Sequence, residues 1–104
     1  NIGKYIVVHI SKTKNKVKND SINNMYSNRN FFAVCVSKKN GNSVIRNKLK
    51  RWVREAYKQE ELNLKLGYNI IILYKRTTKV GEINFHIIHE DIVNCFRKLD
   101  IYEN

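Results

Sequence analysis

The chain has 104 residues, of which 42% are hydrophobic and 28% charged, and this length and balance fit one small globular domain rather than a disordered chain. Twenty Lys and Arg against nine Asp and Glu give a net charge of +11, which favours a polyanionic partner such as nucleic acid or an anionic membrane surface. No apolar run reaches the roughly 18 residues of a membrane-spanning helix, and no signal peptide is visible.

The first half of the chain predicts two strands. The β-branched stretch GKYIVVHI indicates a strand over residues 4–10, and the polar residues 11–30 indicate a long loop. FFAVCVSKK, residues 31–39, predicts a second strand, in which the large side chains of Phe32, Val34 and Val36 face the core. The small residues Ala33 and Cys35 lie on the other face, with Ser37. These small residues either form the floor of a groove or leave room for a closely packed helix.

The second half predicts a helix, a strand and a helix. KKNGN, residues 38–42, indicates a turn in which Gly41 takes a positive φ and Asn42 or Ser43 caps a helix that ends between residues 60 and 65. The apolar run YNIIILYKR predicts a strand over residues 68–76 that is buried on both faces. Apolar spacings of three and four predict an amphipathic helix over residues 84–99. The order of elements predicts one α+β domain spanning residues 1–104.

The first helix carries an unusual density of cations. The chain is rich in Lys, Asn and Ile, a bias that genome composition alone would impose, but three of its six arginines fall within nine residues. At about 100° per residue, one sector of the helix, here named the basic face, collects five polar residues, while apolar residues fill the sector beside it. The basic face comprises Arg46, Asn47, Lys50, Arg51 and Arg54.

This pattern favours a phosphate ligand. Like charges on adjacent turns repel, and a face selected only for solubility would intersperse the two signs. Arginine binds phosphate oxygens with two parallel hydrogen bonds, and Lys38 and Lys39 precede the amino terminus of the helix, where backbone amides attract anions. A solvated basic face, a DNA-recognition helix and a membrane-surface helix are the rival interpretations.

Cysteine and histidine give little support for other chemistry. Cys35 and Cys95 are 60 positions apart and form no metal or redox motif, which predicts free thiols and a cytoplasmic location. His86 and His89 have the i, i+3 spacing of a metal-binding pair, but no third ligand stands at a diagnostic spacing. We therefore predict no catalytic side chains, no protein-bound metal and no small-molecule substrate.

The segment VSKKNGNSVIRNKLKRWVREAY resembles the signature of the bacterial ribonuclease P protein subunit, an RNxxKRxxRE pattern preceded by VSKK and a glycine turn. The resemblance covers about 90 residues and implies an α+β fold, a small mixed sheet with helices packed on it, like the second domain of ribosomal protein S5. It also implies a left-handed βαβ crossover. The family usually begins with a further helix, which we expect to be missing here because the predicted first strand begins at residue 4.

The resemblance implies a non-catalytic subunit of a ribozyme. In that family the RNA subunit, with Mg²⁺, hydrolyses precursor tRNA to release its 5′ leader. The implied RNA-binding residues are Ser37, Lys38, Lys39, Arg46, Asn47, Lys48, Lys50, Arg51 and Arg54. The implied leader cleft is lined by Tyr5, Val8, Ala33 and Cys35, although an aromatic residue frequent in that cleft is aliphatic here. The competing hypothesis is a general RNA-binding or ribosome-associated module with no catalytic assembly.

Overall fold

A computed structural model of the chain describes residues 1–12 and 30–103. Five main elements follow one another in the predicted order of strand, strand, helix, strand and helix, which confirms the α+β class. They are β1 (Ile6–Lys12), β2 (Phe31–Cys35), α1 (Ser43–Glu60), β3 (Tyr68–Tyr74) and α2 (Phe85–Lys98). The loop predicted over residues 11–30 lies mostly outside the described residues.

The three strands form one mixed sheet in the order β1-β3-β2. The central strand β3 is antiparallel to β1, with Val8 opposite Ile72, and parallel to β2, with Val34 opposite Ile72. Because β2 and β3 are parallel and α1 connects them, these three elements form a strand-helix-strand unit. The left-handed path of its crossover stays a prediction.

The sheet has one covered face and one open face. Both helices pack on the covered face, and the core is formed by apolar side chains that include Ile6, Val8, Leu49, Val53, Ala56, Ile70, Ile72, Ile88, Ile92 and Phe96. Phe32, Val34 and Val36 pack against this core, as predicted. Among the described residues no helix covers the opposite face, so the prediction that β3 is buried on both faces is wrong. Ile71 and Leu73 of β3 are only half-buried there.

A tight turn fixes the start of α1. Asn42 is the N-cap, and its Oδ1 accepts a hydrogen bond from the Ile45 backbone N–H at 2.9 Å. Gly41 has φ +150°, and a Cβ at this position would lie 2.6 Å from Ile45 Cγ2. Glycine is therefore required here for its backbone conformation and for space. The predicted turn, cap and helix start are confirmed.

The second helix is amphipathic, as predicted. Asn84 caps it by accepting a hydrogen bond from the Ile87 backbone N–H at 2.9 Å, and the side chains of Ile88, Ile92 and Phe96 are buried. In the described part of the chain, no helix combines the length and the apolar content that crossing a membrane requires.

Candidate nucleic-acid interface

The basic face of α1 points away from the core. Leu49, Val53 and Ala56 on the opposite side of the helix are completely buried. On the basic face, Asn47, Arg51 and Arg54 are exposed, whereas Arg46 and Lys50 are half-buried. The sector geometry predicted for this helix is therefore confirmed, and three polar side chains stand free for a ligand.

The cations of this face form no ion pair within the described part of the chain. The two ion pairs there, Lys65 with Asp100 and His89 with Glu60, involve no cation of α1. Arg46 donates through Nε to the carbonyl oxygen of Gly41 at 3.2 Å, which anchors its guanidinium beside the helix start. A cationic cluster of this kind attracts phosphate oxygens, to which arginine donates two hydrogen bonds in parallel.

Lys48 differs from the other cations assigned to this interface. Its Nζ lies 5.2 Å from the centre of the Trp52 ring, within the range of a cation–π contact. This places Lys48 on the flank of α1, outside the basic face. An RNA-binding role for it stays a prediction.

The segment before α1 presents two exposed lysines. Lys38 and Lys39 belong to a single 3₁₀ turn, Lys38–Asn40, and both are exposed. Ser37 caps this turn, since its Oγ accepts a hydrogen bond from the Lys39 N–H at 3.1 Å. Ser37 therefore shapes the turn, and the two lysines supply its charge. Asn40 is buried in the same turn, and sequence analysis did not single it out.

An aromatic pair connects α1 to the sheet. The rings of Phe32 on β2 and Tyr57 on α1 stack with their centroids 4.0 Å apart and their planes 6° apart. Both rings line a depression of about 330 Å³ that Arg51 and Arg54 also border. The two exposed arginines of the basic face therefore adjoin an aromatic surface at the edge of β2. Burial raises the pKa of the Tyr57 hydroxyl, and the charge of nearby Glu61 adds to the effect.

The open face of the sheet carries two of the four residues predicted for the leader cleft. Ala33 and Cys35 lie opposite Ile71 and Leu73 of β3 on this face, and Cys35 is exposed. We name it the open sheet face; its residues are Val7, His9, Ser11, Phe31, Ala33, Cys35, Asn69, Ile71 and Leu73. Since no described helix packs on Ala33 or Cys35, the groove alternative is favoured over the packed-helix alternative.

The other two predicted cleft residues lie elsewhere. Val8 is completely buried on the covered face, because its alternation along β1 matches that of Ile6, so its assignment to the cleft is wrong. Tyr5 precedes β1 and lines a depression beside α2, together with Ile87 and Asn94. Val8 therefore does not share a surface with Ala33 and Cys35.

One histidine of α2, His89, takes part in a side-chain network. His89 Nε2 lies 2.8 Å from Glu60 Oε2, and the Tyr102 hydroxyl donates to Glu60 Oε1 at 2.9 Å. Burial, followed by the hydrogen bond to Glu60, raises the pKa of Tyr102. Within the described residues, no group of three His, Cys, Asp or Glu side chains is placed to hold a metal ion.

This fold and this surface define a small α+β protein whose cationic helix suits a polyanionic ligand. The family model of Ribonuclease P matches residues 2–100 of the chain. The chain therefore belongs to the ribonuclease P protein family, and the resemblance of its VSKK and RNxxKRxxRE segments is confirmed.

Curated relatives carry the same description. The chain is 37% identical over 68 residues to the ribonuclease P protein component of Caldanaerobacter subterraneus subsp. tengcongensis, a match that covers 65% of this chain and 57% of the relative. It is 34% identical over 76 residues to that of Clostridium botulinum, covering 72% of this chain and 67% of the relative. These matches thus span between roughly half and two thirds of the relatives' own length.

Solved structures share the fold. The Staphylococcus aureus RNase P protein superposes with a TM-score of 0.76 at 21% identity, covering 99% of this chain and 82% of that one. The Thermotoga maritima RNase P protein gives a TM-score of 0.72 at 22% identity, covering 94% of this chain and 80% of that one. At these identities the likeness establishes the fold.

Proposed function

We propose that this chain is the protein subunit of ribonuclease P and assists the removal of the 5′ leader from precursor tRNA. In this proposal the basic face of α1 binds the RNA subunit, which carries the chemistry. The observation that supports it most is the set of exposed cations around Arg51 and Arg54, which form no ion pair within the described residues, in a member of this family. The complex would act in the cytoplasm, on precursor tRNA.

The open sheet face is the proposed contact for the single-stranded leader. Phe31 is 62% exposed there, and Ala33 and Cys35 leave room above the strand for a base. Proteins that bind single-stranded RNA combine exposed aromatic rings with a nearby cationic groove. On the other side of β2, which packs against the core, Phe32 and Arg51 border one depression, so a cationic groove lies beside the strand that carries Phe31.

The Mg²⁺ that this function requires would be held by the RNA. The donor sets of the described residues do not fit a protein-bound ion, so we assign no step to one. Bound by RNA phosphates, Mg²⁺ would activate the attacking water and stabilise the leaving oxygen. The part of this chain is electrostatic: its cations offset phosphate repulsion that Mg²⁺ alone would otherwise have to screen. The chain should therefore lower the Mg²⁺ concentration that cleavage needs.

The decisive experiment measures 5′ cleavage of precursor tRNA by an in vitro transcribed bacterial ribonuclease P RNA at low Mg²⁺, with and without this protein. We expect strong stimulation by the wild-type chain and at least about tenfold weaker stimulation by the Arg51→Ala, Arg54→Ala double variant, which removes two charged hydrogen-bond donors. The Arg97→Ala, Lys98→Ala variant, which removes two cations from the last turn of α2, is the matched control.

The same experiment separates this function from a general RNA-binding module. A ribozyme subunit should prefer precursor over mature tRNA only when the RNA subunit is present. A general module would bind both RNAs equally and leave the cleavage rate unchanged. That result would exclude the proposal.

A further inference from the structure

A buried amide holds two basic turns together. Asn40, 5% exposed, donates through Nδ2 to the carbonyl oxygens of Lys75 and Thr78, both at 2.9 Å. Its Oδ1 accepts a hydrogen bond from the Ser37 N–H at 3.1 Å. The side chain thus ties the turn before α1 to the turn after β3, across 35 and 38 positions of sequence.

The turn after β3 is also anchored on its other side. Thr78, 3% exposed, donates through Oγ1 to the carbonyl oxygen of Tyr5 at 2.8 Å, and the Lys75 N–H donates to the same oxygen at 3.0 Å. The Thr78 N–H closes the turn onto the Lys75 carbonyl at 3.0 Å. Because its backbone is bonded from both sides, this turn has a fixed position relative to Asn40.

The residues held in this way carry a concentration of positive charge. Lys38 and Lys39 on one turn, and Arg76 and Lys79 on the other, are all exposed. None of the four forms an ion pair within the described ranges, residues 1–12 and 30–103. Asp91, the buried carboxylate on α2, is occupied by backbone N–H groups of residues 4–6. Four cations on two hydrogen-bonded turns, none of them in an ion pair with a described residue, favour a ligand that supplies several negative charges.

We propose that these four cations form a second phosphate-binding surface, the turn surface, and that Asn40 is the positioning residue that assembles it. The ligand is the phosphodiester backbone of the RNA that the basic face binds, so this inference rests on the proposed function. Continuity supports the assignment: Gly41 follows Asn40 directly, and its carbonyl oxygen accepts the Arg46 hydrogen bond. An RNA backbone crossing the start of α1 therefore meets both surfaces.

An asparagine suits this position because it is both donor and acceptor. The amide nitrogen satisfies two carbonyl oxygens while the amide oxygen accepts an N–H. Aspartate lacks the donors, and an apolar side chain lacks both functions. Without this amide the two turns lose their common anchor, and their cations lose a fixed spacing.

The test is the salt dependence of binding between the full chain and an in vitro transcribed bacterial ribonuclease P RNA. The logarithm of the association constant falls linearly with the logarithm of the salt concentration, and each phosphate contact adds about 0.7 to 0.9 to the magnitude of this slope. The Arg76→Gln, Lys79→Gln variant should therefore reduce the magnitude of this slope by about 1.5. The control, Arg97→Gln with Lys98→Gln, makes the same change in net charge and should leave the slope unaltered. Equal slopes for the two variants would overturn the proposal.

A double-mutant cycle tests the positioning role of Asn40. The Arg76→Gln, Lys79→Gln change should reduce the magnitude of the salt slope clearly less in an Asn40→Ala background than in the wild type. The reason is that Asn40→Ala has already displaced the turn that carries these cations. Thr78→Val, which releases the same turn at its Tyr5 end, replaces Asn40→Ala if that variant does not fold. Fully additive effects would show that Asn40 does not position these cations.

Failure of this inference is distinguishable from failure of the proposed function. If the wild type stimulates cleavage and the Arg51→Ala, Arg54→Ala variant does not, while Arg76→Gln, Lys79→Gln matches its control, only the turn surface is refuted. If the wild type neither stimulates cleavage nor binds the RNA with a salt-dependent affinity, both proposals are refuted.

Discussion

The carboxylate of Asp91 on α2 lies directly against Gly3, where a Cβ atom would come within 2.7 Å of Oδ1. The same carboxylate accepts hydrogen bonds from the backbone N–H groups of Lys4, Tyr5 and Ile6 at 3.0, 2.8 and 3.2 Å. One buried side chain thus fixes the segment that leads into β1. Asp91→Ala leaves these donors without a partner and should cost about 3 kcal/mol of unfolding free energy, measured by urea denaturation.

Glu90 provides the matched control for this prediction. It is the neighbouring carboxylate on the same helix, it is exposed, and it belongs to none of the ion pairs described. Glu90→Ala should change stability by no more than about 0.5 kcal/mol. Equal losses for the two variants would show that the hydrogen bonds to Asp91 contribute nothing specific.

Alanine substitutions at three glycines distinguish the cost of backbone strain from the cost of a steric clash. Gly41 has φ +150°, and a Cβ added there would lie 2.6 Å from Ile45 Cγ2; Gly67 has φ +90° with open space, and Gly81 has open space without a positive φ. We expect Gly41→Ala to cost about 3 kcal/mol, from strain plus overpacking. Gly67→Ala should cost about 1 kcal/mol from strain alone, and Gly81→Ala should be neutral or slightly stabilising.

Thermal or urea unfolding of the three alanine variants measures this order. A loss at Gly67 as large as that at Gly41 would mean that the contact with Ile45 is unimportant. A loss at Gly81 comparable to either would contradict the assignment of its backbone conformation.

The residues of α1 show what the sequence predicts well. Helix bounds, the Asn42 cap and the separation of Arg51 and Arg54 from Leu49 depend on local periodicity and on side chains a few positions apart. All of these were predictable because the relevant contacts are local. The family membership followed from the same segment.

Asn40 and Val8 show what the sequence does not predict. The partners of Asn40 are 35 and 38 positions away, so no local pattern indicates that its amide is buried and bonded. For Val8, alternation along β1 defines two faces but does not say which one the helices cover. The same missing information made β3 look buried on both faces, because an apolar strand has no polar side to mark the open face.

On α1, RNA binding should change in one direction when Arg51 or Arg54 is replaced and in the opposite direction when Glu55 is replaced. Under the proposed function, Arg51→Ala and Arg54→Ala should each reduce the magnitude of the salt slope of RNA binding by about 0.7 to 0.9, because each removes a phosphate contact. Glu55→Gln removes the exposed acid beside them and should strengthen binding at low salt. Filter binding over a range of KCl concentrations measures all three, and an unchanged slope for both arginine variants would contradict the prediction.

The two cysteines should differ in reactivity. Cys35 is exposed on the open sheet face, whereas Cys95 is 1% exposed, and burial, followed by the charge of Asp91, raises the pKa of its thiol. Ellman's reagent should react with Cys35 in the native protein and with Cys95 only after unfolding. Cys35→Ser should abolish the native-state reaction, and a native signal that survives in this variant would contradict the structure.

Modification of Cys35 also tests the proposed leader contact. A bulky maleimide adduct on the open sheet face should block stacking of a leader base and weaken binding of precursor tRNA to the holoenzyme about tenfold. Binding of mature tRNA should be unaffected. An equal loss for both RNAs would place the leader elsewhere.

The buried hydroxyl of Tyr74 should make the free energy of unfolding fall at alkaline pH. Its hydroxyl is buried and donates to the Leu49 carbonyl oxygen at 2.8 Å, and burial raises its pKa above the ordinary value of 10.0. Above pH 10 the unfolded chain releases this proton while the folded chain keeps it, so stability should fall by about 1.4 kcal/mol per pH unit from this group. Tyr74→Phe should be about 1 kcal/mol less stable at pH 7, where it lacks the hydrogen bond, but should lose stability less steeply above pH 10. Urea denaturation of both proteins from pH 7 to 11 measures this convergence, and parallel curves would mean that Tyr74 ionises as easily in the folded chain as in the unfolded one.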